Sequence, residues 1–225
     1  MARWHTGIAP RPSGLTGTGT FAKIGPLVSI GREPPQNSTD NPINDGPVLM
    51  RYSIRSIKRE RVKDYLPQNP WIDHISSPMN DGAVDLEGIS AFLNEEEFQV
   101  LIIEDYNATG IIGDPYQHRP GFADASGSEY DVSTKANTFY WFSRALAVTK
   151  PKSGRGGSWG LGKLAAPLAS AARTFFCVTK QFDSDDRYLF GQAVVNQHQR
   201  HGELYENETE VSDWDTDGPV PLAEY

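Results

Sequence analysis

The most constraining feature of the sequence is a short apolar run at residues 98–104, FQVLIIE, which leads directly into Asp105 and a glycine-containing turn. A bounded apolar run of this length is typical of a buried strand. A carboxylate at the end of a buried strand is costly unless a partner donates a hydrogen bond to it. The run therefore predicts a polar contact at the strand end, with an ordinary turn built on an Asx side chain as the alternative.

The spacing of apolar residues, glycines and prolines around this strand predicts the order of the other elements. The predicted helices cover residues 21–41, 86–92, 136–148 and 161–172, the predicted strands cover 48–57, 173–180 and 187–199, and 111–135 is a predicted loop. Strands do not alternate regularly with helices in this order. It therefore predicts an α+β fold with helices on one face of a mixed or antiparallel sheet.

Charge limits the classes of partner. The formal net charge is −8, and the segment from Asp183 to Tyr225 holds eleven acidic residues against two arginines. The rest of the chain is close to neutral, although residues 51–63 carry six basic side chains and one acidic one. Given the overall negative charge, we interpret this basic segment as a strand with a solvated polar face and not as a nucleic-acid site.

Two absences in the sequence also restrict the function. No apolar run approaches the length of a membrane span, and no signal peptide is evident, so we expect a cytoplasmic protein without a membrane partner. Cys177 is the single cysteine, which excludes an internal disulfide and a cysteine-based zinc site. Its apolar setting, TFFCVT, predicts a core position on a strand and not a nucleophile.

The glycine-rich segment 153–163, SGRGGSWGLGK, runs into the predicted helix at 161–172. Glycines permit close approach of the backbone to a ligand, and a helix N-terminus presents free N–H groups, so the segment predicts a phosphate-binding loop. It matches most of the P-loop pattern, but Leu164 stands where a Ser or Thr would hold Mg²⁺. A P-loop enzyme remains an alternative that requires a buried strand immediately before Gly154.

A third segment, REPPQNSTD at residues 32–40, places Glu33, Asn37 and Asp40 at i, i+4 and i+7, on one face of a helix. A carboxylate there could act as a general base and an amide oxygen could bind Mg²⁺, while a solvated helix face is the alternative. Pro34 and Pro35 interrupt the segment. An interior proline costs about 3 kcal/mol and disfavours helix in the residue before it, so a helix restarting at Pro34 would leave Glu33 at its N-cap.

In this order, the three segments resemble the GHKL ATPase superfamily, which includes gyrase B subunits, MutL, heat-shock chaperones, histidine kinases and MORC proteins. Residues 32–40 resemble the N box, 105–110 the first glycine box and 157–163 the second, and the variable stretch between the glycine boxes resembles the ATP lid. The resemblance covers roughly residues 20–200. It implies the Bergerat fold, a two-layer α/β sandwich with a mixed, largely antiparallel sheet and helices on one face.

The resemblance also implies roles for single residues. Glu33 would activate the attacking water, Asn37 would coordinate Mg²⁺, Asp40 would line the nucleotide site, and Asp105 would accept a hydrogen bond from the exocyclic amine of adenine. Thr179 is a candidate for the adenine end. The backbone or side chains of the remaining site residues would surround the nucleotide: Asn107, Thr109 and Gly110 in the first box, and Gly157, Ser158, Trp159, Gly160, Leu161, Gly162 and Lys163 in the second.

By the same resemblance, residues 1–20 would be an arm or strap, 21–200 the ATP-binding domain, and 201–225 an acidic tail or linker to a missing C-terminal region. ATP and Mg²⁺ would be the ligands, and slow hydrolysis would drive a conformational change or ATP-dependent homodimerisation of a larger protein whose effector is unknown. The alternative is a catalytically weak nucleotide-sensing or protein-interaction module of the same fold. A histidine kinase is disfavoured because no histidine lies on a recognisable dimerisation helix.

Overall fold

The computed structural model describes residues 2–8, 25–62, 94–113, 139, 142, 165–194, 198–213 and 220–221. These residues combine helices with antiparallel strands. The helices are α1 (Pro26–Thr39), α2 (Arg59–Val62) and α3 (Ala165–Ala169), and the strands are β1 (Ala2–Ile8), β2 (Leu49–Lys58), β3 (Glu97–Tyr106), β4 (Thr174–Lys180), β5 (Arg187–Val194), β6 (His198–Arg200), β7 (Glu203–Asp213) and β8 (Val220–Pro221).

The larger sheet has the strand order β1-β7-β5-β4, with β6 added to β7 and β8 added to β5. Every pairing is antiparallel. Alternate residues of β4 face opposite sides of this sheet. Phe175, Cys177 and Thr179 share the inner side, whereas Phe176 and Val178 are exposed on the outer side. The inner side of β4 therefore positions side chains for the site described below.

The core lies on the inner side of β4 and β5. The ring of Phe139, 1% exposed, packs edge-on against the rings of Tyr188 and Phe190. Phe142 packs edge-on against Phe175 and Phe190. Both phenylalanines belong to the predicted helix at 136–148, and Phe139 is helical. Their aromatic contacts agree with an apolar face on that helix, of which the structure describes only these two residues.

β2 and β3 form a separate antiparallel pair in the described part of the chain. The sequence correctly predicts both strands, but the prediction of a fully buried β3 is wrong: burial alternates from Glu97 to Ile102, no residue of the strand is fully buried, and Leu101 is 44% exposed. A strand that packs on one face keeps only every second side chain from solvent. The basic segment at 51–63 is a strand only as far as Lys58, the end of β2, and continues into α2. Arg51 and Arg55 on β2 are solvated as predicted.

α1 is continuous from Pro26 to Thr39, with Pro34 and Pro35 inside it. The alternative in which the helix restarts at Pro34 is therefore excluded, and Glu33 lies within the helix and not at its N-cap. α1 packs against α3, which packs in turn against β4 and β5. Ile30 on α1 and Ala165 on α3 are both buried.

Several predicted elements differ in extent. The predicted strand at 187–199 corresponds to β5 and part of β6, and residues 195–197 between them lie outside the described residues. Helix α3 covers only a short part of the predicted helix at 161–172, since residues 161–164 are not described and the helix ends at Ala169. The predicted helix at 86–92 and most of the predicted loop at 111–135 also lie outside the described residues.

The C-terminal region contains strands that the sequence analysis did not predict. β7 occupies residues from the expected acidic tail at 201–225 and lies between β1 and β5. Val220 and Pro221 of β8 pair with Leu189 and Tyr188. In the expected arm at 1–20, β1 is extended and its partner strand is β7 of the same chain.

Candidate functional site

The carboxylate of Asp105 joins the end of β3 to α1. The hydroxyl of Ser38 donates a hydrogen bond of 2.7 Å to Asp105 Oδ2. Ser38 is 8% exposed, and Asp105 is exposed. No described residue donates a hydrogen bond to the other carboxylate oxygen, Oδ1. Within the described part of the chain, the helix thus fixes one oxygen of Asp105, and the other can still accept a hydrogen bond.

Cys177 on β4 lies close enough to Asp105 for the two groups to interact electrostatically. Burial of the thiol, with a further contribution from the negative charge of Asp105, raises the pKa of Cys177 to about 12. A thiol that holds its proton so strongly is a poor nucleophile at neutral pH. Its half-buried position on β4 agrees with the predicted core role.

Gly110 brings the turn after β3 against β4. Its φ is +67°, and a Cβ built on it would lie 2.1 Å from the carbonyl oxygen of Lys180 and 2.9 Å from Thr179 Oγ1. No side chain fits in that space. The backbone N–H of Ile111 donates a hydrogen bond of 2.9 Å to Thr179 Oγ1, and Thr179 is buried. The predicted site residues Gly110 and Thr179 are therefore in contact, although they are far apart in sequence.

The turn between Asp105 and Gly110 is held by the segment that follows α1. Asn107 has φ +64°, in the left-handed region that asparagine tolerates, and its side-chain amide donates to Asn44 Oδ1 and to the carbonyl of Pro47, both at 3.1 Å. The backbone N–H of Thr109 donates to the carbonyl of Asn41 at 2.9 Å. The first glycine-bearing turn is thus anchored to the segment that directly follows the helix carrying Glu33.

Glu33 is 7% exposed, yet it has few partners. Its carboxylate lies 3.9 Å from Arg32 Nε, and the side chain of Arg32 is mostly exposed. Among the described residues, none donates a hydrogen bond to the carboxylate of Glu33. A largely buried carboxylate with one loose ion pair has oxygen atoms available to orient a water molecule.

Asn37 and Asp40 lie on the same helix but are exposed, and Asp40 is its C-cap. The described residues contain no group of three or more His, Cys, Asp or Glu side chains able to hold a metal ion. The seven site residues predicted in the second glycine-rich segment lie outside the described residues: Gly157, Ser158, Trp159, Gly160, Leu161, Gly162 and Lys163.

Two further residues, Ser38 and Tyr52, contribute contacts that the sequence did not predict. Ser38 directly follows the predicted ligand Asn37, and serine inside a helix usually satisfies its hydroxyl through a local or tertiary hydrogen bond, which is the signal that could have identified it. Tyr52 Oη donates a hydrogen bond of 3.2 Å to the carbonyl of Ile30 on α1. No local pattern predicts this second contact.

Comparisons with protein-family models, curated proteins and solved structures gave no match to the chain. No helix in the described ranges combines the length and the apolar character needed to cross a bilayer.

Proposed function

We propose that this chain is a GHKL-type ATP-binding domain that hydrolyses ATP slowly with Mg²⁺. The observation that carries the proposal is the contact between Ser38 and Asp105, which links the N-box-like helix to the carboxylate after β3. The contact of Gly110 with Thr179 is a second, independent observation that supports the proposal, because both residues are candidates for the same nucleotide site. Two of the three segments that carry the resemblance, 32–40 and 105–110, thus lie close together, and Thr179 on β4 contacts the second of them.

In this proposal Asp105 selects adenine. Its free Oδ1 is the acceptor for the exocyclic amine, and a carboxylate can accept but not donate such a bond at neutral pH. Guanine presents a carbonyl oxygen at the equivalent ring position, so an acceptor there would repel it. Thr179, with its hydroxyl proton free to donate while Oγ1 accepts from Ile111, would face the same end of the base.

Hydrolysis in this proposal depends on Glu33 as general base. The side chain is held inside continuous α1, largely shielded from solvent, with only a loose ion pair to Arg32. Magnesium typically binds few protein oxygens together with phosphate oxygens and waters, and the exposed amide of Asn37 would supply one such oxygen. When bound, Mg²⁺ would neutralise charge on the phosphates.

The described elements also fit the two-layer arrangement of the Bergerat fold. α1 lies against the face of the β2–β3 pair that contains Tyr52 and Asp105, and α3 connects it to β4 and β5. The carboxyl ends of β3 and β4 meet at Gly110. If these two strands belong to one layer, the helices would lie on one face of a mixed sheet. ATP-dependent homodimerisation and control of an effector in a larger protein complete the proposal.

The proposal is tested by calorimetric titration of the full chain with ATP and Mg²⁺. Asp105→Asn should weaken ATP binding roughly ten- to a hundredfold, because the charge-assisted hydrogen bond is lost, while its amide oxygen can still accept from Ser38. Asp45→Asn, at an exposed carboxylate in the loop after α1, is the control and should bind ATP normally.

ATP binding and ATP turnover of the unmutated chain, together with the binding of Asp105→Asn, test the proposed function. Absence of ATP binding, or equal affinity for ATP in folded Asp105→Asn, would refute the nucleotide site. Binding without measurable turnover would instead favour the nucleotide-sensing module over the ATPase.

A further inference from the structure

The two prolines of α1 remove two hydrogen bonds from the interior of the helix. Proline has no N–H, so Pro34 cannot donate to the carbonyl of Ile30, and Pro35 cannot donate to the carbonyl of Gly31. A buried carbonyl left without a donor carries a free-energy penalty, whereas an exposed one can bind water. The consequences therefore differ between the two positions.

Gly31 is exposed, and no heavy atom lies within 4 Å of the point where its Cβ would be. Its carbonyl can be solvated. Ile30 is 6% exposed, so its carbonyl has less access to water. The hydroxyl of Tyr52, on the adjacent strand β2, donates to that same carbonyl at 3.2 Å. A side chain from another element supplies the donor at the position where solvent is least available.

The following turn of the helix needs no replacement donor, because the carbonyls of Pro34 and Pro35 lie opposite the backbone N–H groups of Ser38 and Thr39. Side-chain hydroxyls make additional contacts there. The hydroxyl of Ser38 lies 3.1 Å from the carbonyl of Pro34, and the hydroxyl of Thr39 donates to the carbonyl of Pro35 at 2.8 Å. These contacts stay within α1. The bond from Tyr52 is different because it fixes the proline-containing turn to the sheet that also carries Asp105.

Glu33 lies inside this turn, between Ile30 and Pro34. A residue that precedes proline is disfavoured in helical conformation, so the backbone at Glu33 needs support from its surroundings. We infer that Tyr52 is a positioning residue for Glu33: its hydroxyl replaces the hydrogen bond that Pro34 removes and keeps the proline turn helical. The inference rests on the proposed function for its catalytic consequence, although the hydrogen bond itself does not.

The test is a cycle of variants in the full chain. Tyr52→Phe removes only the hydroxyl. Pro34→Ala restores a backbone N–H that can donate to the carbonyl of Ile30. The hydrogen bond from the Tyr52 hydroxyl is then no longer needed at this carbonyl. In the parent chain Tyr52→Phe should lower kcat for ATP about tenfold to a hundredfold, with ATP affinity unchanged within about twofold, since small displacements of a catalytic group have effects of this size. In the Pro34→Ala background the same change should leave kcat unaltered.

Thermal unfolding gives a readout that does not depend on ATP. Tyr52→Phe should lower the unfolding midpoint by about 2–4 °C in the parent chain and leave it unchanged beside Pro34→Ala. Tyr106→Phe is the matched control: it removes a phenol hydroxyl from the same strand pair, on the face opposite to Tyr52, where it contacts Arg51 and Glu104. It should behave alike in both backgrounds.

Each outcome decides one part. Equal losses of kcat in both backgrounds, no loss in the parent chain, or a loss of ATP affinity in place of kcat would overturn the positioning role. If neither the parent chain nor any variant hydrolyses ATP, the proposed ATPase fails, and the thermal unfolding midpoints alone test the hydrogen bond. A lower midpoint for Tyr52→Phe in the parent chain, but not beside Pro34→Ala, supports the replacement of the lost bond by Tyr52. An equal decrease in both backgrounds overturns it.

Discussion

The hydroxyl of Thr179 accepts a hydrogen bond of 2.9 Å from the backbone N–H of Ile111, and so connects β4 to the turn that follows β3. Gly110, the residue before Ile111, packs against the same threonine. One buried side chain therefore holds two segments that are separated by almost seventy residues.

We expect Thr179→Val to destabilise the protein by about 1–3 kcal/mol, because valine keeps the shape of threonine but leaves the Ile111 N–H without its acceptor. Urea denaturation measures the free energy of unfolding. Thr39→Val, at an exposed hydroxyl on α1, is the control and should change it by less than about 0.5 kcal/mol. Equal effects of the two changes would show that the contact with Ile111 contributes nothing.

Gly110→Ala should destabilise the protein by more than the strain of a positive φ alone, which is about 1 kcal/mol or more for alanine. The new methyl group would overlap the backbone carbonyl of Lys180. Gly202→Ala is a matched control, since Gly202 has φ +85° and no neighbour within 4 Å of its Cβ position. The difference between the two unfolding free energies isolates the close approach, and no difference would contradict it.

Glu33→Gln should retain ATP affinity and lose hydrolysis by a factor of about 10²–10⁴, since a general base acts on water in the transition state and adds little to ground-state binding. Steady-state hydrolysis at equal ATP occupancy measures the effect. Glu60→Gln, on the exposed surface of α2, should hydrolyse normally. A substantial rate that survives in Glu33→Gln would remove Glu33 as the base.

Alkaline pH should reveal the buried thiol. The pKa of Cys177 is about 12 in the folded protein against 9.0 for a free thiol, so only the unfolded chain loses this proton between those values. The contribution of the protonated Cys177 thiol to stability is thus complete below about pH 9. It is lost as pH rises toward 12, where the free energy of unfolding falls by at most about 1.4 kcal/mol per pH unit. Cys177→Ser should flatten the unfolding free energy over this range relative to the parent chain, and parallel pH profiles would count against the raised pKa.

The sequence predicted those elements whose signal is local. β2, β3 and β4 follow apolar or alternating patterns and appear close to the expected residues. β7 was missed because Glu206, Glu208 and Glu210 were interpreted as part of a charged tail, although they alternate with other residues at the period of a strand. Its partners β1 and β5 are distant in sequence, so no local pattern identifies it as an inner strand.

Only part of the candidate site was predictable from the sequence. Asp105 was identified from its position after β3, whereas Gly110 and Thr179 were identified from the resemblance, and the structure brings Gly110 and Thr179 into contact. The sequence predicts a helix across residues 21–41, but not what keeps it continuous through Pro34 and Pro35, because the compensating donor comes from Tyr52 on another element. Propensity rules describe the cost of a proline correctly but do not include a hydrogen bond that forms only in the folded chain.

The location of β7 between β1 and β5 determines an order of events on the ribosome. β1 is translated about 200 residues before the strand that pairs with it. At roughly 5–20 residues per second, this interval lasts about 10–40 s, during which β1 has no β7 to pair with. A nascent chain in this state presents an unsatisfied strand edge to its surroundings, which is the kind of surface that chaperones protect from aggregation.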